Sequence, residues 1–220
     1  MNFDYTYIIF LGAIIFEPMT ILTNMFITVF CCFAFYKINK INVNLARKWA
    51  WFFLLIGTSS LLGSIGHGVH FQLGATFLRT MVFLMNAVSL VAIYFCFKAA
   101  NIYMSTGKDS GKYATYLVLL WILVLLVITF IQNNFLLIKI HAGIVLTYSL
   151  AVHLLTYKKP GSSLISWGII VSFLSIIVHS MHLSFSEWFN YKDTAHIIML
   201  VSLVMIYKGV TTKLFSLKGI

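Results

Sequence analysis

Long apolar runs, separated by short polar segments, dominate the chain. Seven such runs can be marked, and each has roughly the 20 residues that a helix needs to cross the hydrocarbon core of a bilayer. They cover residues 7–36, 49–71, 77–98, 113–132, 135–157, 162–185 and 193–210. The pattern therefore predicts an all-α polytopic membrane protein, in which residues 1–220 form a single domain of seven transmembrane helices.

The basic residues are concentrated in alternate connections between these runs. Of the 15 Lys and Arg residues, twelve lie between runs one and two, three and four, and five and six, or after run seven. Only Arg79, Lys139 and Lys192 lie on the other side. Because cytoplasmic loops carry an excess of Lys and Arg, this bias predicts an N-terminus outside and a C-terminus in the cytoplasm.

Composition narrows the class of protein further. Hydrophobic residues make up 61% of the chain and charged residues only 9%, with a mean hydropathy of +0.97. A soluble domain of this size does not have such a composition. The formal net charge of +10 could indicate nucleic-acid binding. Since the basic residues lie in short loops between apolar runs, we interpret them as the topology signal and expect no nucleic-acid partner.

Ionisable side chains inside the apolar runs are the candidate functional groups, because lipid tails offer them no partners. His179 and His182 lie near the outer end of run six, and Asp193 and His196 begin run seven. A spacing of three residues places each pair on one helix face. Three imidazoles and a carboxylate are therefore expected to meet where these two helices come together.

Run one adds a carboxylate. Glu17 lies about ten residues into the run, which at ~1.5 Å per residue predicts a depth of ~15 Å, near the membrane midplane. Pro18 is expected to kink the helix there. We predict that Glu17 faces the bundle interior and bonds to Asn24 or to a serine of the second helix. The pair is interpreted either as an interhelical polar clamp or as support for a functional site.

Runs two and three contribute further polar groups. Ser60, Ser64 and His67 share one helix face by their spacing of four and three, and His70 lies one turn further out. His67 is a candidate ligand, whereas His70 is either a ligand or a water-facing interfacial residue. Asn86 in run three either bonds across helices or takes part in the site.

The predicted topology places six of the seven histidines at one depth, in the outer half of the membrane. They are His67, His70, His141, His179, His182 and His196. His153 alone lies on the inner side, where we interpret it as interfacial. Imidazole is the commonest transition-metal ligand among side chains, and several imidazoles with a carboxylate suit zinc. The sequence thus predicts a zinc site in the outer half of the bundle.

The chain resembles the CREST superfamily of seven-helix membrane hydrolases, and within it the alkaline ceramidases. Glu17 and Asn24, with six residues between them, are similar to the first-helix motif of the ceramidases. His67 with Ser64 or Ser60 on the same helix face is similar to the second-helix motif, and His196 to the motif that begins the seventh helix. Lys192 stands where the family has the first histidine of its final His-x3-His motif.

This resemblance implies a divergent bacterial member of the superfamily in the inner membrane, a zinc-dependent hydrolase that cleaves a lipid amide or ester. The expected zinc ligands are His67, His182 and His196, with Asp193 as a further ligand. His70 and His179 are additional candidate ligands. Ser64 and Asn86 would orient the attacking water or the oxyanion, and Glu17, Asn24 and Ser60 would give polar support. Asp193 could instead be a general base, a partner of an imidazole, or a helix cap.

Other functions remain open on the sequence. The main alternative is a non-enzymatic seven-helix sensor or lipid-binding protein with a structural metal. Haem electron transfer would require His141 and His179 to face each other. A proton-coupled transporter could use Glu17, but such transporters more often contain internal repeats, and none is visible here.

Overall fold

The computed structural model describes residues 6–104, 112–132 and 135–218. A short antiparallel hairpin comes first, with strands β1, Tyr7–Phe10, and β2, Ala13–Phe16. Helix α1 is Pro18–Asn39, and the long helical segment Asn44–Met104 provides two spans, α2, Asn44–Val69, and α3, Gln72–Met104. The remaining helices are α4, Lys112–Gln132, α5, Phe135–Leu155, α6, Ser162–Met181, and α7, Tyr191–Lys218.

The prediction of an all-α seven-helix membrane protein is confirmed. The described residues contain seven helices that are long and apolar enough to cross a membrane, with mean hydropathies from 1.4 to 2.5 in their most apolar windows. Many of their large apolar side chains are exposed on the outer surface, such as Leu123 at 57% exposure and Leu174 at 50%. A bundle that is apolar on its outer surface is stable only where lipid surrounds it.

The first two spans after α1 are joined by a bend rather than by a loop. Gly74 has φ +80° and ψ 176°. This backbone conformation is not helical, and residues with side chains rarely adopt it. Beyond the bend, α3 packs beside α2, and Ser59 bonds to Ser89 across the two helices at 2.8 Å. The glycine therefore allows one helical segment to cross the membrane twice.

The prediction of a single helix over residues 7–36 is wrong, because its first part forms the hairpin. Tyr7 pairs with Phe16 and Phe10 with Ala13. The two residues of the turn, Leu11 and Gly12, both have positive φ, at +50° and +81°, as a two-residue hairpin turn requires. Hydropathy cannot separate a strand from a helix in a short apolar run, and this one is rich in isoleucine and phenylalanine, which favour strands.

Two further predictions fail with that helix. Glu17 does not lie near the membrane midplane, because it directly precedes α1 and caps it with φ +47°. Pro18 does not kink the helix, because it is the first helical residue. At that position no intrahelical hydrogen bond is lost and the fixed φ of proline suits the helix. We call the end of the bundle that carries the hairpin the hairpin end. The charge bias predicts that it faces outward.

A large part of the buried core lies towards the opposite end. Trp49 and Phe53 of α2 are fully buried there with Ile38 of α1 and Leu214 of α7. His153 is also fully buried, with its ring 4.6 Å from that of Tyr103. Its depth at the interface stays a prediction. The space left between the helices therefore lies nearer to the hairpin end.

Candidate functional site

A cavity of about 420 Å³ lies inside the bundle, between α1, α2, α3, α5, α6 and α7. Its polar and apolar lining residues lie at different levels along the helices. Basic side chains line the hairpin end, namely His67, Lys139, His179, Lys192 and His196. Apolar side chains line the deeper part, among them Phe52, Ile93, Leu146, Leu203 and Ile206. We call the hairpin end of this space the polar end of the cavity.

Glu17 connects two of these basic residues. Its carboxylate accepts hydrogen bonds from His67 Nδ1 and Lys192 Nζ, and only 5% of the residue is exposed. Burial by itself would raise the pKa of this carboxyl. The bond and charge of His67 and the charge of Lys192 outweigh that effect and lower the pKa to about 2. Glu17 thus faces the interior as predicted, but its partners are not Asn24 or a serine.

Helix α1 supplies hydroxyl and amide groups beside this ion pair. Thr23 Oγ1 lies 3.1 Å from His196 Nδ1. Asn24 lines the cavity, and its Nδ2 donates to the carbonyl of Thr20 at 3.1 Å. These threonines were not identified from the sequence, although their spacing places them on the face of α1 that follows Glu17.

Asp193 is fully buried and does not line the cavity. Its Oδ1 accepts from Thr20 Oγ1 at 2.7 Å, and its Oδ2 accepts from the backbone N–H of Asn190 at 2.8 Å. Asn190 Oδ1 in turn accepts from the backbone N–H of Lys192 at 2.8 Å. The side chains of Asn190 and Asp193 thus satisfy backbone donors at the start of α7, as helix-capping side chains do. The helix-cap interpretation of Asp193 therefore agrees with its contacts.

Lys139 and His179 form a second contact at the polar end. Lys139 Nζ lies 3.1 Å from His179 Nδ1 and 3.3 Å from Ser180 Oγ. The structure places this ammonium against the cavity, so Lys139 belongs to the candidate site.

Several predicted site residues do not join this group. His182 is exposed at the C-terminal cap of α6, with φ +54°, and its ring packs 4.5 Å from that of Tyr191. His141 is buried elsewhere, where its Nδ1 accepts from Trp121 Nε1 at 3.3 Å. The side chain of His70 lies outside the described part of the structure. A common depth in the membrane therefore did not bring the histidines to one point.

Of the predicted polar residues Ser60, Ser64 and Asn86, only one lines the cavity. Ser60 lines the cavity, whereas Ser64 faces α1 and donates to the carbonyl of Ile21 at 3.2 Å. Asn86 is fully buried but lies outside the cavity lining. Within the described ranges its Oδ1 and Nδ2 have no hydrogen-bond partner. The α3 face that meets the cavity instead carries Met85 and Ser89.

The donor set does not fit a zinc ion as it stands. No group of three or more His, Cys, Asp or Glu side chains among residues 6–104, 112–132 and 135–218 is arranged to hold a metal. His67, His179 and His196 line one cavity. Their Nδ1 atoms contact Glu17, Lys139 and Thr23, respectively. The zinc ligands expected from the sequence stay a prediction.

Comparison with known proteins gives a family and no activity. Residues 19–214 match the model of one protein family, described as a family of unknown function (DUF6962). Neither the curated proteins nor the solved structures include a significant match to the chain. The match begins just after Glu17 and includes all seven helices.

Proposed function

The chain belongs to the DUF6962 family, and we propose that it is a seven-helix membrane protein that binds one amphiphilic ligand with an anionic headgroup. The single observation that carries this proposal is the division of the cavity into a basic polar end and an apolar deeper part. A lipid with an acyl chain and a negative headgroup has the same division. This proposal follows the non-enzymatic alternative, without requiring a metal.

The apolar part of the cavity suits a hydrocarbon chain. Its walls carry aromatic and branched aliphatic side chains, such as Phe52 and Ile206. Each buried methylene group stabilises a complex by about 0.8 kcal/mol. A volume of about 420 Å³ is also within the range of small-molecule sites.

The sign of the charge at the polar end favours an anion. No carboxylate is among the described residues that line the cavity, whereas two lysines and three histidines are. Glu17 does not line the cavity, but its carboxylate compensates the charge of Lys192. Lys139 lies at the same end, where its Nζ contacts His179 and Ser180. A carboxylate or phosphate near Lys139 would form a charge-assisted hydrogen bond in a medium of low dielectric.

The zinc-dependent lipid hydrolase expected from the CREST resemblance is the second candidate. Its support is that His67, His179 and His196 come from three helices to one cavity that also carries Ser60. The location in a bacterial inner membrane rests on the same resemblance, and the metal site in the outer half rests on the charge bias of the loops. Hydrolysis of ceramide by the purified protein, with loss of activity in His67→Ala, would favour this candidate.

Ligand binding is tested by native mass spectrometry of the purified protein, with oleate and with oleyl alcohol of the same chain length. We expect oleate to bind and Lys139→Gln to weaken its binding about 10- to 100-fold, since a hydrogen bond to a charged group contributes about 1.5–3 kcal/mol. Lys208→Gln is the matched control, because Lys208 is exposed on α7. Equal binding of both amphiphiles, unaffected by Lys139→Gln, would contradict an anion-selective polar end.

A further inference from the structure

Lys192 and His196 occupy one face of the first turns of α7. Their spacing of four residues places them on the same side of the helix, and both side chains line the polar end of the cavity. His67 of α2 lines the same end. Two imidazoles and one ammonium thus converge from two helices, with the carboxylate of Glu17 beside them.

This group has the composition of a metal site except at one position. Histidine and glutamate side chains are common ligands of zinc. A lysine ammonium has three donors and no acceptor, so in its charged form it cannot bind a metal ion. Here it donates to Glu17, the carboxylate that also accepts from His67. The ammonium therefore supplies the positive charge that this buried carboxylate needs.

We propose that Lys192 is a resident cation, whose ammonium takes the place of a metal ion between Glu17, His67 and His196. Two consequences follow from its charge. The polar end of the cavity forms without metal, because Glu17 already has its counter-charge. A divalent cation is also excluded from this position, because a like charge repels it strongly in a medium of low dielectric.

The contacts of the two imidazoles support this assignment. His67 Nδ1 bonds to Glu17, and His196 Nδ1 lies 3.1 Å from Thr23 Oγ1. A hydrogen bond at one ring nitrogen fixes the orientation of an imidazole, and metal-binding histidines are held in this way. The two rings are thus oriented by protein groups while Lys192 occupies the space in front of Glu17. The assignment does not depend on which ligand the cavity binds.

The test is to replace the ammonium with a third imidazole. Wild type, Lys192→His and the control Lys208→His are purified with zinc present, exchanged into zinc-free buffer and analysed for bound zinc. Wild type and the control are expected to retain no stoichiometric zinc. Lys192→His is expected to retain about one zinc ion per chain, since three protein ligands with a water complete a tetrahedral site. His196→Ala, added to Lys192→His, is expected to abolish this gain.

Two results would overturn the proposal. One is about one zinc ion per wild-type chain that is lost in His196→Ala. The other is a folded Lys192→His protein with no more zinc than Lys208→His. If Lys192→His does not fold, wild type and Lys192→Arg decide the question by their melting temperatures. EDTA is expected to leave both unchanged, and a fall of several degrees on chelation would refute a resident cation.

Discussion

At the scale of single residues, Glu17 shows how a local change of structure alters the meaning of a side chain. A carboxylate ten residues into a membrane helix would lie at the midplane. The hairpin before α1 moves Glu17 to the end of the bundle, where His67 and Lys192 both reach it. Its left-handed backbone conformation, with φ +47°, is unusual for a residue with a side chain.

The ion pairs of Glu17 predict a dependence of stability on pH. Burial raises and its two basic partners lower the pKa of this carboxyl, from 4.5 to about 2 overall. Because the pKa is lower in the folded protein, the stabilisation is fully present above pH 4.5 and is lost as the pH falls towards 2. We expect Glu17→Gln to lower the melting temperature at pH 7, and the difference from wild type to shrink below pH 4.5.

The measurement is thermal unfolding of both proteins in detergent between about pH 3 and pH 7, a window that spans the titration of an ordinary carboxyl group. Glu187→Gln serves as the control, because Glu187 is exposed in the connection between α6 and α7. It should follow the wild-type curve throughout. A Glu17→Gln difference that stays constant down to pH 3 would show that the charge of Glu17 does not stabilise the fold.

At the scale of elements, α6 and α7 pack more closely than ordinary side chains allow. A Cβ atom on Gly209 would lie 2.6 Å from the carbonyl oxygen of Gly161 and 2.7 Å from Cγ1 of Ile165. About two turns further along this contact, Ser202 Oγ donates to the carbonyl of Gly168 at 2.7 Å. Small residues that permit close backbone approach are typical of helix contacts in membranes, where lipid reduces the hydrophobic driving force. This contact fixes the positions of His179 and His196 relative to each other.

Gly209→Ala is therefore expected to destabilise the protein. The added methyl group would contact backbone atoms that cannot move alone, and overpacking of this kind costs about 1–3 kcal/mol. Gly143→Ala is the matched control, since a Cβ atom there would meet nothing within 4 Å. It should be neutral or slightly stabilising, because alanine favours helices over glycine. Equal melting temperatures of the two variants would show that the α6–α7 contact tolerates a larger separation.

At the scale of the whole molecule, the distribution of charge sets the direction in which the bundle crosses the membrane. The seven helices place the N-terminal hairpin and the end of α7 at opposite ends. The carboxyl end of α1 carries Lys37, and α2 begins with Arg47 and Lys48 in its first turns. Of the lysines and arginines, only Arg79, Lys139 and Lys192 fall on the side that the charge bias assigns to the polar end. Lys139 and Lys192 line the cavity.

The orientation can be measured with a reporter that is active only in the cytoplasm, fused after Ile220. We expect activity, because the basic side chains favour the cytoplasmic side for the C-terminus. A second fusion with a reporter that is active only outside the cytoplasm should give none. The reverse pair of results would place the polar end of the cavity on the cytoplasmic side.

Much of the fold follows from the sequence because each membrane span depends on local properties. The length and apolarity of a run determine whether it can cross a bilayer, whatever its neighbours do. The number of helices was predicted correctly for this reason. The hairpin was missed because residues 7–16 are as apolar as a span, and only Gly12 marks the turn inside them.

The candidate site was predicted only in part, because its contacts join distant positions along the chain. Glu17, His67, His179 and His196 were identified as polar groups in apolar surroundings, and each lies in or beside the cavity. Their partners depended on how the helices pack and rotate. From the sequence, Lys192 was noted only because it stands where the CREST superfamily has a histidine. The structure pairs it with Glu17, 175 residues away.

The sequence by itself determined that this chain crosses the membrane seven times, and it located nearly all the groups that could carry chemistry. Both follow from the cost of exposing polar groups to lipid, which applies residue by residue. Only the tertiary structure decided that Asp193 caps α7, that His182 lies apart, and that Lys139 and Lys192 line one cavity. Helix rotation and close packing determine which side chains meet, and these depend on all the helices together.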